Sequence, residues 1–167
     1  MNIVYAMSNI HEIMKGCIEA EMVTDGFLSD VNTFHPVYVE ESHIDEPYIW
    51  MYQHETIPSR QADISQTMEL TTPFQFNCSV YERELEDAVI SSQNLATRIV
   101  PSILNNWQRL QDEITSGQRI IRNITFETFY PMGTIDINNK SERLPVVGVV
   151  LNVNHVINWR LCCKKGE

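Results

Sequence analysis

The chain carries no motif that marks a known chemistry, and its absences narrow the function first. Its six glycines are scattered at 16, 26, 117, 133, 148 and 166, so no glycine-rich turn is present to cradle a phosphate. It has no GxSxG elbow, and a serine or cysteine nucleophile needs a positioned base beside it. The four cysteines form no CxxC pair. Cys162 and Cys163 are adjacent, a poor geometry for bonding to each other. Cys17 and Cys78 fall on the apolar sides of their elements, where a thiol behaves as a small hydrophobe. Free, reduced thiols in a cytosolic product are the expectation. Zinc takes ligands in closely spaced groups. Of His11, His35, His43, His54 and His155, only His35/His43 and His54-Glu55 approach such a grouping. No metal and no cofactor are expected, and an enzyme is the minority reading.

Positive charge is also scarce. Twelve Lys and Arg stand against 22 Asp and Glu, a formal net charge of -10. That balance disfavours tight wrapping of nucleic acid, which depends on lysine and arginine displacing counterions. Long hydrophobic runs are missing as well. The longest lie around "VVGVVL", too short to cross a bilayer, and "MNIVYAMSNIHEI" lacks the basic start and apolar core of a signal peptide. A soluble protein made inside the cell, without membrane contact, is expected. The sequons Asn77-Cys78-Ser79 and Asn123-Ile124-Thr125 then carry no meaning.

What is present is pattern. At this length a single domain covering residues 1–167 is the default. Ser8 is placed to cap a helix whose apolar positions Ile10, Ile13, Met14, Cys17, Ile18 and Met22 follow helical spacing, with Asp25-Gly26 ending it. "PVYVEES" and "YIWMYQHETI" then read as a β-hairpin around the "HIDEP" turn, and 58–67 as a polar loop. In "LTTPFQFNCSVY" Phe74, Phe76, Cys78 and Val80 face inward, while Gln75, Asn77, Ser79 and Tyr81 face outward. Pro73 cannot donate to a ladder and should mark the strand start or an edge.

From Glu82 the period changes to 3.6. Leu85, Ala88, Val89, Ser92, Leu95, Ala96, Ile99, Ile103, Trp107 and Leu110 form one stripe on a long helix. Glu82, Glu84, Glu86 and Asp87 crowd its start, where the helix dipole favours them. Pro101 should kink or split it, and Gly117 closes it. "RIIRNITFETFY" reads as a strand with Ile124, Phe126 and Thr128 on one side. Residues 131–145 read as a turn-rich loop long enough to be functional.

The final strand, "VGVVLNVNHVINWRL", puts Val147, Val149, Leu151, Val153, Ile157, Trp159 and Leu161 on one face, interrupted by His155. Gly148, Val150, Asn152, Asn154, Val156, Asn158 and Arg160 fall on the other. The fold class expected is α+β: a largely antiparallel or mixed sheet of about four to five strands. An N-terminal helix and one long, Pro-kinked helix pack on one face.

This order of elements resembles the tail-terminator, or tail-completion, proteins of long-tailed bacteriophages and archaeal tailed viruses. The resemblance lies in a strand running into an acidic-started helix, "LTTPFQFNCSVYERELEDAVISSQNLATRIVPSIL", and in the polar-backed last strand. The N-terminal helix and the "PVYVEES…YIWMY" pair complete it. It covers most of the chain and rests on layout, with no invariant motif.

The resemblance implies a homo-oligomeric, hexameric ring in the virion neck that caps the tail tube and offers a docking surface to the head. The partners implied are further copies of the chain, the tail tube protein and the head-tail connector or adaptor proteins. Viral DNA would pass through the lumen without specific binding, and acidic walls suit that passage. Two segments longer than in compact members, 53–69 and 131–145, would make contacts through Arg60, Gln61, Asp63, Asn138, Lys140 and Arg143. Asn152, Asn154, His155, Asn158 and Arg160 on the last strand would face a subunit or ring surface. Lys140 and Arg143, with Lys164 and Lys165, fit an acidic protein surface, a phosphate or a solubilising tail. Two alternatives stand beside this reading: a head-completion adaptor on the portal side of the neck, and a small α+β enzyme or ligand-binding domain.

Overall fold

The structure, a computed structural model, describes residues 3–37, 47–59, 67–136 and 143–158. Within them the chain is α+β. Helix α1 (Ile3–Glu19) is followed by strands β1 (Thr33–His35), β2 (Tyr48–Gln53), β3 (Ile57–Pro58) and β4 (Thr67–Ser79). Helix α2 (Leu85–Ile114) and strands β5 (Ile121–Asp136) and β6 (Arg143–Asn158) complete the order. The strands form one mixed sheet in the order β1-β2-β4-β6-β5, with β3 set against β4. The count is six rather than four to five because two very short strands, β1 and β3, escape a periodicity reading.

Strand β6 is an interior strand of the sheet, pairing antiparallel with β4 from Thr67↔Asn158 to Cys78↔Val147. On its other side it pairs with β5 from Ile121↔His155 to Asp136↔Arg143. Directly opposed residues share a face, so Phe74, Phe76 and Cys78 line up with Val147, Val149 and Leu151. With Ile49 and Met51 of β2 they join Ile10, Ile13, Met14, Cys17 and Ile18 of α1 and Leu95, Ala96, Ile99 and Ile103 of α2 in one buried cluster. Each large side chain so buried contributes ~1.5–3 kcal/mol. Cys17 and Cys78 are free and buried. Burial pushes the Cys17 thiol up to about 12 and the Cys78 thiol higher still, so neither is a nucleophile near neutral pH.

Several boundaries differ from the expectation, each for a local reason. Helix α1 starts at Ile3 and therefore includes Ser8; Met7, one turn before Ile10, already packs against the core. It ends at Glu19 rather than at Asp25-Gly26, because Glu21 is engaged elsewhere. The Glu21 carbonyl accepts from the Leu28 N–H at 2.9 Å, and its carboxylate accepts from the Phe27 N–H at 3.0 Å and from Asn106 Nδ2 at 2.6 Å. Arg98 of α2 clamps the same segment through a bidentate bond to Asp30, 2.6 and 3.1 Å, and donates to the Phe27 carbonyl. The guanidinium holds the Asp30 carboxyl below its ordinary value.

Instead of a hairpin around "HIDEP", the strand beside β2 is Thr33–His35, and it runs parallel to β2. Pro36 and Val37 form a bend, and 38–46 lie outside the described residues. Helix α2 runs from Leu85 to Ile114 with Pro101 inside it, so the proline does not split it. Leu85, placed in its apolar stripe by spacing, is 57% exposed. At the other end Thr115 caps the helix, Ser116 and Gly117 take positive φ, and the Gly117 N–H donates to the Asp112 carbonyl, the closure anticipated for Gly117.

Prolines also sit inside strands. The N–H and C=O of a strand residue point to the same side. The Pro73 carbonyl accepts from the His54 N–H at 2.9 Å, so its nitrogen faces the gap between β2 and β3 and costs the β6 ladder nothing. Pro145 precedes the stretch of β6 that β4 covers, and its carbonyl accepts from Ser79 Oγ at 2.8 Å. The expected loop at 131–145 is thus mostly the continuation of β5 and β6 as a ribbon, with only 137–142 outside the described residues.

One packing constraint is testable. A Cβ on Gly26 would fall 2.2 Å from the Glu21 carbonyl oxygen, a backbone atom already bonded to Leu28. On Gly16 it would meet only the side-chain end of Leu110, at 3.2 Å. Gly26→Ala is expected to cost ~1–3 kcal/mol and to lower Tm by several degrees in thermal unfolding, with Gly16→Ala costing clearly less.

Candidate interaction surface

Among the described residues no group of three or more His, Cys, Asp or Glu is arranged to hold a metal ion. Nor is any helix there long and apolar enough to cross a membrane. Surfaces are the more informative feature. Among the described residues the sheet has two uncovered edges, since β5 is paired there only with β6, and β1 reaches only Tyr48, Ile49 and Trp50 of β2. Met51, Tyr52 and Gln53 therefore lie beyond the last described strand on that side.

The β5 edge gets its character from a bulge. Phe126 pairs with Leu151 and Thr128 with Val150, which leaves Glu127 as the extra residue. In a regular strand, positions 126 and 129 would point to opposite faces. The bulge resets the alternation, so Phe126 and Phe129 oppose Leu151 and Val149 and share the helix-side face. Their rings lie 4.8 Å apart, and they remain 48% and 42% exposed. Glu127 is held by Asn152, whose Nδ2 donates to its Oε2 at 2.9 Å. A cleft of about 260 Å³ lies between this edge and α2, lined by Gln93, Thr97, Phe129, Tyr130 and Val147. The sequence reading aligned Ile124, Phe126 and Thr128 and so missed Phe129. The aromatic pair flanking an acid in "FETF" was the available signal.

The opposite edge carries a hollow. A space of about 360 Å³ is lined by His11 of α1, by Pro36 and Val37, and by Met51, Tyr52 and Gln53 of β2. His11 Nδ1 and Gln53 Oε1 lie 3.3 Å apart on its wall, and Val37 is 51% exposed.

Of the residues proposed from sequence, Asn152 and Asn154 do sit on the face of β6 away from the helices, half-buried. Their amides bridge to neighbouring strands, Asn152 to Glu127 and Asn154 Oδ1 accepting from Thr71 Oγ1 at 2.7 Å. Asn158 pairs with Thr67 and Arg143 with Asp136 as backbone partners. Arg60, Gln61, Asp63, Asn138, Lys140 and Arg160 lie outside the described residues.

His155 belongs elsewhere. It is 1% exposed on the core face, where its Nε2 shares a 2.8 Å hydrogen bond with Thr72 Oγ1. Thr72 in turn is 2.7 Å from the Thr56 hydroxyl. His155 is thus an internal polar tie, and its side chain offers nothing to a contact outside the chain. Its hydrogen-bond partner is a hydroxyl on the neighbouring strand.

The outward positions of β4 also differ from expectation. Gln75, Asn77 and Ser79 are buried, as are Tyr48, Val146 and Val150 on the same face. Gln75 Nε2 donates to Asn77 Oδ1 at 2.8 Å, and His54 Nε2 lies 2.8 Å from Gln75 Oε1. Alternation fixed which face these residues occupy; it does not fix whether that face meets water.

Compared with known proteins, the chain matches no family model and no curated protein.

The buried histidine gives a pH signature. Burial lowers the His155 pKa from 6.5 to about 4, while an unfolded chain would retain the ordinary value. Between those values only the unfolded state binds the proton, so stability falls as pH drops through that window, by at most ~3 kcal/mol. Denaturant unfolding from pH 7 to 4 should show wild type losing more stability than His155→Gln, which keeps an amide for Thr72 but cannot titrate. Equal losses would mean that His155 carries its proton in the folded state.

Proposed function

We propose that the chain is a structural subunit of the neck of a tailed virus, a tail-terminator-like protein. Copies would form a ring that caps the tail tube, ends its polymerisation and presents a surface to the head. One observation carries this reading: an α+β subunit whose sheet, among the described residues, has an uncovered edge on each side, each bearing apolar side chains. An aromatic pair at β5 and a hollow at β2 suit a subunit with neighbours on two sides. The element order is the one that resembles the family, a helix and short strands, a long strand leading into a long helix, then a two-stranded ribbon. The net charge of -10 supports it too, since an acidic lumen lets DNA slide without sticking. In this reading the protein acts by assembly. The tube below and the connector above are its partners, and no cofactor takes part.

Electron microscopy of particles made without the protein tests the proposal. A tail terminator leaves overlong or headless tails. Unstable, leaking heads would instead point to a head-completion adaptor, and normal infectious particles would overturn both.

A further inference from the structure

We propose that copies of this chain join head to tail, the Phe126–Phe129 pair on the edge of β5 seating in the hollow beside β2 of the next copy. The contact rests on the ring reading above and specifies the two surfaces that would close such a ring.

The two surfaces match in chemistry. One is a pair of half-exposed rings on the edge strand β5, the other a hollow lined mainly by Pro36, Val37, Met51 and Tyr52, with His11 and Gln53 on its wall. A space of about 360 Å³ lies within the ~300–1,000 Å³ range of sites that bury small, mostly apolar ligands, and so has room for an aromatic side chain. Exposed apolar groups gathered at an open edge are what soluble chains otherwise avoid.

The two surfaces also lie on opposite sides of one sheet, so they cannot meet within a chain. A two-fold axis would bring each patch onto itself, whereas a projection and a hollow on different sides call for a heterologous contact. Strand direction agrees. β5 runs with β4, and β2 runs against it. A copy related by rotation about an axis along the strands therefore presents β2 antiparallel to β5. The bulges and Pro131 interrupt the β5 edge, so side chains rather than an extended ladder make the contact.

Charge favours a second copy as the occupant. Copies at -10 repel each other in general. Yet Arg119 and Arg122 stand exposed at the start of β5 and make no ion pair among the described residues. Beside the hollow, Glu55 is exposed two residues beyond Gln53, and Glu12, next to His11, shares Lys15 with Glu19 at 3.7 and 3.8 Å. The basic end of β5 thus has an acidic counterpart on the next copy.

Sedimentation of the full chain tests this with two surface variants, each first shown by circular dichroism to keep its fold. Phe126→Ser with Phe129→Ser removes the projection, and Val37→Lys blocks the hollow. Wild type should associate with rising concentration, and each variant alone should associate about tenfold or more weakly. Mixing the two variants should restore one-to-one dimers, because the intact projection of one still meets the intact hollow of the other. In a chain with Cys162 and Cys163 changed to Ser, Phe129→Cys plus Val37→Cys should oxidise to linked multimers. Association that mixing fails to restore, or a chain that stays monomeric to millimolar concentration without cross-linking, overturns the contact. Particles that assemble normally without the protein would remove the neck reading while leaving a restored dimer unaffected, so the two failures are distinguishable.

Discussion

Among the described residues, strand β5 is held by a neighbour along one side only, and a single extra residue in it decides what its other side offers. Glu127 breaks the alternation and is anchored by Asn152 of β6. Without that bulge Phe129 would turn to the face away from the helices, and the two rings could not lie 4.8 Å apart. The surface reading follows from this: an apolar edge on one side of the sheet, an apolar hollow on the other, and a core in between that already satisfies the subunit. Single contacts of this kind are modest, and in the proposed ring closure would strengthen them, because the last contact would form between subunits already joined.

The rest of the molecule supplies a rigid mount for that edge. β6 pairs on both sides and turns Val147, Val149, Leu151 and Val153 into a core shared by both helices. Helix α2 is tied down by side-chain bonds in addition to that from Asn106 to Glu21. Arg98 grips Asp30, Ser92 Oγ accepts from the Val80 N–H at 2.9 Å, and Gln111 Oε1 accepts from the Ile121 N–H at 2.6 Å. The last bond fixes the start of β5 to the end of α2, so the edge strand is carried by the helix as well as by the ladder. The tie from His155 through Thr72 to Thr56 secures the far end of the sheet from within.

Much of the framework was legible because it rests on periodicity. The inward faces of α1 and β6 and the stripe of α2 follow from spacing alone, and most of the described positions among them are buried. What spacing could not show has physical causes. Pro131, Gly133 and Pro145 signal turns locally, yet they stand at a bulge or where a strand has one neighbour, so the ribbon runs through them. Gln75, Asn77 and Ser79 read as outward and are outward, but they are buried, because facing away from the helices differs from meeting water. β1 is three residues long and parallel to β2, a pairing no local pattern encodes. The residues of the proposed contact were the least legible. Asn152 and Asn154 mark a polar face, but Phe129 depended on a bulge, and the hollow joins side chains from three separate parts of the chain.

Amide hydrogen exchange along β5, followed in dilute and in assembled protein, bears most directly on whether this strand is the open contact edge. If it is, amides around Phe126 and Phe129 that point away from β6 exchange rapidly in the dilute chain and slow on assembly. Those of α1 and the middle of β4 would be protected in both. Protection of the whole of β5 in the dilute chain, or exchange there that assembly leaves unchanged, would contradict it.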